Sequence, residues 1–194
     1  MEKLIAHLKA NALRTDGPFT LRSGATSSWY LDARMTTYSG DGAWLVGAAL
    51  LTTLLPEVVA VGGMTMGADP MAVATAMVAT AQARSLRAFS VRKETKEHGT
   101  GGRIVGPVEA GERVAVLDDT VTTGGALMEA VEVLTAAGIH VAQVAILVDR
   151  SDGIVEEICR GRNLHYTALI RPADLGVEGW NLSSPSQLRF AAPV

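Results

Sequence analysis

Apolar residues recur along this chain with two alternating periods. In residues 2–13, Leu4, Ile5, Leu8 and Leu13 fall near one face of a helix. Residues 41–55, 69–83, 123–137 and 153–160 predict four more helices. Pro70 stands in the first turn of the second of these, where a missing N–H leaves no bond unmade, and Gly138 closes the third. Between the helices lie short continuous apolar runs at 57–61, 86–91, 113–117, 140–148 and 166–170. Runs without polar alternation predict strands buried on both faces. From about residue 40, helix and strand alternate, which predicts a doubly wound α/β sheet.

Two stretches fall outside this alternation. Residues 17–24 read as turn, short strand and turn, and Ser28–Asp32 as a second short strand. A hairpin-like pair ahead of the main repeat predicts a cap. Arg92 to Gly106 reads RKETKEHGTGGRIVG, charged and then glycine-rich, with no apolar period. A loop of about 15 residues in a compact domain calls for a function, and active-site lids are the usual one.

Composition narrows the class. The chain has 194 residues, 48% of them hydrophobic, and no linker or low-complexity tract divides it. One domain over 1–194 is expected. The formal charge of −3 gives no global attraction to nucleic acid or an anionic membrane, so any anion site must be local. The single cysteine, Cys159, excludes an internal disulfide and a cysteine-based metal cluster, and it fits a reducing cytoplasm. The first residues read as an amphipathic helix start and lack the apolar core of a signal peptide. No apolar run reaches the ~18–20 residues of a membrane span.

The candidate chemistry sits after Val114-Ala115-Val116-Leu117. Asp118 and Asp119 follow at the carboxyl end of that strand, then Thr120-Val121-Thr122-Thr123-Gly124-Gly125, then a helix. In open α/β sheets ligands bind beyond the carboxyl ends of the strands. A glycine-containing turn into a helix N-terminus offers backbone N–H groups to a phosphate. Two aspartates would repel a phosphate but suit hydroxyls or a hydrated cation. A sugar phosphate has both ends. The loop lacks the Gly-Lys-Ser/Thr ending of a P-loop and is not G-x-G-x-x-G.

VAVLDDTVTTGG resembles the phosphoribosyl pyrophosphate (PRPP) binding motif of type I phosphoribosyltransferases. The resemblance covers roughly residues 17–171. It implies a central, mostly parallel sheet flanked by helices, with a small N-terminal hood and a long flexible catalytic loop. The hood would take mainly 1–39 plus part of the C-terminal tail, and the core about 40–171. PRPP would be bound by Asp118, Asp119, Thr120, Val121, Thr122, Thr123, Gly124, Gly125 and Ala126. The aspartates would face the ribose, and Thr122 to Ala126 would cradle the 5-phosphate.

The segment R-K-x-x-K-x-H-G from Arg92 resembles the catalytic loop of the orotate phosphoribosyltransferases. That likeness implies Lys96 as the catalytic lysine, with Arg92, Lys93 and His98 on pyrophosphate. It also implies a homodimer in which the loop reaches the partner's site. FTLRSG at 19–24 resembles the family's F-T-L-K-S-G, with Arg22 in place of lysine as a further PRPP contact. Tyr30 matches an aromatic beside the orotate ring, Arg150 the arginine that pairs with the orotate carboxylate, and Thr122 a contact to both substrates. A planar carboxylate suits a bidentate guanidinium. Some members carry Tyr-Lys in the pyrophosphate loop where this chain has Met66-Gly67, within 62–70. One cation is thereby lost, so that backbone amides do more or Arg22 compensates. The implied reaction is orotate + PRPP → orotidine 5′-monophosphate + pyrophosphate, in pyrimidine synthesis. Mg2+ would be held largely by substrate oxygens, so no protein metal ligand is required. Neither nucleic acid nor membrane is an expected partner. Two other readings stay open: a phosphoribosyltransferase for another base, and an RNA-binding pyrimidine regulator on the same fold.

Overall fold

The continuous apolar runs become the strands of one twisted sheet in a computed structural model that describes residues 1–20, 26–96 and 102–178, Thr95 and Lys96 by backbone alone. In chain order the elements open with α1 (Glu2–Asn11), β1 (Leu13–Arg14), β2 (Phe19–Thr20), β3 (Thr26–Ser27) and β4 (Tyr30–Leu31). Next come α2 (Arg34–Thr37), α3 (Gly40–Leu51), β5 (Ala60–Met64), α4 (Asp69–Ala81), β6 (Arg87–Lys96) and β7 (Gly102–Val105). The chain continues through β8 (Arg113–Val121), α5 (Gly125–Ala136), β9 (His140–Asp149), α6 (Ile154–Gly161), β10 (His165–Ile170) and a 3-10 turn, Pro172–Leu175.

The main sheet has six strands in the order β10-β9-β8-β5-β6-β7. All pairings are parallel except β6 with β7. Alternate residues of each strand feed two cores. Val61, Ala115, Leu117, Ala145 and Leu147 pack against α1, α3 and α4. Ala60, Val114, Val116, Val144 and Ile146 pack against α5 and α6. The central strands therefore read as unbroken apolar runs because helices cover both faces. Gln143 is the polar exception in β9 and is fully buried. Its carboxamide accepts from the Leu55 N–H at 2.9 Å and donates to Thr53 O at 2.9 Å and Thr167 Oγ1 at 3.1 Å. It thus ties the loop after α3 to the sheet with its own polar atoms satisfied.

Four expectations shift. The segment Arg92–Gly106, read as a loop, is largely a β-hairpin: β6 runs on to Lys96 and pairs antiparallel with β7. Its arms reach beyond the helix-covered core, so Lys93 and Glu94 are exposed and no apolar alternation betrays the strand. β8 runs to Val121 rather than ending at Leu117, so Asp118–Val121 are strand residues. β5 is Ala60–Met64 rather than 57–61, which shortens the loop expected at 62–70 to residues 65–68. In the cap, Leu13 leaves the helical face for β1, which pairs with β4, while β2 pairs with β3.

Candidate active site

The site forms where β8 and β5 end side by side. β8 projects Asp118, Asp119 and Thr120 from its carboxyl end, and β5 turns through Thr65, Met66 and Gly67 into α4. A cavity of about 530 Å³ opens there. It is bordered by Asp118, Asp119, Thr120 and Ala126, by Met64–Gly67, by Lys93 of β6, and by Tyr30–Arg34 of the hood.

The two carboxylates are held by the backbone. Asp118 Oδ1 accepts the Asp119 N–H at 3.1 Å, and Asp119 Oδ1 accepts the Thr120 N–H at 2.7 Å. Burial, then the neighbouring Asp119 charge, push the Asp118 carboxyl up to about 7. Burial raises Asp119 too, against the Thr120 N–H and the Arg34 guanidinium, which pull it down. Buried carboxylates side by side favour a cation or hydroxyl donors between them and solvent. Such a pair fits a divalent cation such as Mg2+. Among the described residues no group of three or more His, Cys, Asp or Glu could hold a metal. Such an ion would therefore need ligands from its substrate.

The glycine turn follows directly. Gly124 takes φ +77°, a left-handed conformation, and a Cβ there would meet Val155 Cγ2 at 2.9 Å. α5 begins at Gly125 with no side-chain cap on its first turn. Among the described residues no side chain caps its first N–H groups, an arrangement that suits an anion. Thr122 is half-buried and Thr123 exposed, while the Val121 side chain turns into the core. Ala126 meets the cavity; Thr122–Gly125 stand beyond its border.

Arg150 follows β9 directly, and its N–H donates to Val121 O at 2.9 Å. Its guanidinium lies over Trp29, 4.5 Å from the ring centroid. Burial pulls it down to about 10. Arg150 does not border the cavity, but Tyr30, next to Trp29 in sequence, does. Tyr30 packs on Phe19 at 5.9 Å between centroids. Asp149 fixes the turn at Arg150 by accepting the Ser151 N–H at 2.7 Å and the Tyr166 hydroxyl at 2.6 Å.

Of the charged segment, Lys93 reaches the cavity and Arg92 is partly buried on β6. Lys96 ends β6, its side chain lying outside the described residues, as do Arg22 and His98. Sequence reasoning missed Asp32 and Arg34. Asp32 takes Arg34 through Nε at 2.8 Å and Nη2 at 2.9 Å and accepts its backbone N–H at 3.1 Å. The available signal was Asp-x-Arg directly after the aromatic strand, where a carboxylate can start a helix.

No family model matches the chain. Individual relatives do. An orotate phosphoribosyltransferase of Streptomyces avermitilis is 43% identical over 176 residues, 90% of this chain and 96% of that one. A solved orotate phosphoribosyltransferase of Mycobacterium tuberculosis, in complex with Fe(III) dicitrate, superposes with TM-score 0.76 at 35% identity, covering 90% of this chain and 98% of that one. The same enzyme in complex with PRPP superposes with TM-score 0.73 at 33% identity, over 90% and 98%. With this coverage, and with paired carboxylates and an uncapped helix N-terminus at one strand end, the chain belongs to the orotate phosphoribosyltransferase family.

Proposed function

We propose that this protein transfers the 5-phosphoribosyl group of PRPP to orotate, releasing pyrophosphate, in pyrimidine synthesis. The observation that carries the reading is the placement of Asp118 and Asp119 one turn before the free amides of α5, in a cavity shared with Lys93 and Tyr30. The α5 amides and Thr122–Ala126 hold the 5-phosphate, and Asp118 and Asp119 face the ribose hydroxyls, with Thr120 and Val121 setting the backbone between them. Arg150 pairs with the orotate carboxylate, Tyr30 lies on the ring, and Thr122 touches both substrates. Arg92, Lys93, Lys96, His98 and Arg22 serve the pyrophosphate, Lys96 as the catalytic lysine.

The base nitrogen attacks the anomeric carbon as the bond to the pyrophosphate oxygen breaks. The protein supplies position and fixed charge, and no covalent enzyme intermediate is needed. Mg2+, when bound, neutralises pyrophosphate charge, and Asp118 and Asp119 would hold it together with substrate oxygens. The working unit is a homodimer whose catalytic hairpin reaches across subunits. Met35, Tyr38, Trp44, Val73 and Met77 support this, being large apolar side chains left exposed on or at the ends of α2, α3 and α4. The cytoplasm is the proposed compartment; among the described residues no helix is long and apolar enough to cross a membrane.

Turnover of PRPP with orotate, uracil and adenine tests the acceptor. Orotidine 5′-monophosphate and pyrophosphate should form in equal amounts with orotate alone. Turnover with uracil or adenine instead would reassign the base. RNA binding with no turnover would overturn the enzymatic reading.

A further inference from the structure

We propose that Arg34 is the fixed cation of the pyrophosphate subsite and that Asp32 orients it there. The inference rests on the phosphoribosyl-transfer reading above. It starts from a deficit. The loop between β5 and α4 borders the cavity with Thr65, Met66 and Gly67 and brings no cation. Position 67 is also tight in this chain. A Cβ on Gly67 would stand 2.8 Å from Asp119 Oδ1 and 3.5 Å from Asp118 Oδ1. A side chain there requires the Asp119 carboxylate to shift.

Arg34 meets the deficit from the hood. It borders the same cavity as Gly67, Lys93 and the two aspartates. Asp32 holds Nε and Nη2 in a two-pronged grip at 2.8 and 2.9 Å and anchors the backbone of the same residue at 3.1 Å. The Asp32 side chain is 25% exposed against 51% for Arg34, so the carboxylate is the seated partner and the guanidinium the presented one. With one edge of the fork taken, the Nη1 edge has no partner among the described residues and keeps two N–H donors. Planar, paired donors suit phosphoryl oxygens, and a tethered guanidinium loses little freedom on binding them. Arg34 also lies within electrostatic range of Asp119. It therefore counters the carboxylates before a ligand arrives and the leaving group afterwards. Lys93 is an exposed lysine of β6; Arg34 is a cation held by Asp32.

The test compares Arg34→Gln, Arg34→Lys and Asp32→Asn with the unaltered protein. Pyrophosphate binding is measured by calorimetry in Mg2+, and KM is measured for PRPP and for orotate. Arg34→Gln should weaken pyrophosphate binding and raise the PRPP KM by about tenfold or more, the loss of one charge-assisted contact. The orotate KM should stay within about twofold, since only one substrate loses a contact. Arg34→Lys should restore part of the affinity, and Asp32→Asn should move the PRPP KM in the same direction by less. Unchanged pyrophosphate affinity in Arg34→Gln would overturn the proposal, as would lower thermal stability with both KM values intact. An unaltered protein that neither binds pyrophosphate nor turns over PRPP would remove the phosphoribosyl reading itself, and this one with it.

Discussion

Asp118 and Asp119 are adjacent carboxylates on a strand end, and seating both there costs free energy in the absence of a ligand. The Asp118 carboxyl sits near 7 in the fold against an ordinary value of 3.8. Between those values the folded protein keeps a proton that the unfolded chain has released. Stability therefore falls as pH rises through that window and levels off above it. In ligand-free, metal-free protein, Asp118→Asn should melt above the unaltered protein at about pH 8, and the gap should close towards about pH 4. After discounting for partial solvent screening the gain at the upper end is roughly 1–2 kcal/mol. Turnover should fall at the same time, because the amide is a poorer partner for ribose hydroxyls and a cation. Scanning calorimetry across that range checks it, and a gap independent of pH would contradict it. Both aspartates, and the glycine turn after them, were legible from residue type and order. Arg34 was not, because the cavity it borders, unlike its sequence neighbour Asp32, is assembled only when distant segments fold together.

At the scale of elements, the β6–β7 hairpin joins the charged segment to the rest of the protein. Arg103 of β7 donates through Nε to Arg92 O at 2.7 Å and pairs with Glu129 on α5. One side chain thus connects the β6–β7 hairpin to the helix whose N-terminus is proposed to hold the phosphate. Removing it should loosen the hairpin more than it destabilises the fold. Arg103→Ala is expected to cost about 1 kcal/mol of stability or less, the range of a partly exposed ion pair. It should lower kcat at least about threefold through misplacement of Arg92 and Lys93. Denaturant titration and steady-state kinetics separate the two effects; an unchanged kcat would show that Arg103 only decorates the surface. The sequence announced this segment as an interruption and misread its form. A strand beyond the helix-covered core needs no apolar alternation, so its periodicity vanishes while its hydrogen-bonded ladder remains.

For the whole molecule, the proposed site is split between two copies, and this has a direct check. Lys96→Ala and Asp119→Asn proteins should each be inactive alone. Mixed under conditions where subunits exchange, they should recover a fraction of activity, since about half of the dimers are hybrids and one of the two sites in each is intact. Proven exchange with no recovery would place the hairpin in its own subunit's site. The order of helix and strand, the two-faced burial of the central strands and the strand–acid pair–glycine turn followed from sequence alone. Each depends on neighbours within a few residues, through helical or strand periodicity and local backbone geometry. Tertiary structure decided how far the Asp118–Asp119 strand runs, that Gly67 packs close against Asp119, and that Arg150 seats on Trp29. It also brought a hood cation, Arg34, to a cavity whose acids lie more than eighty residues away in sequence. Those facts rest on contacts between distant segments, and no period along the chain encodes them.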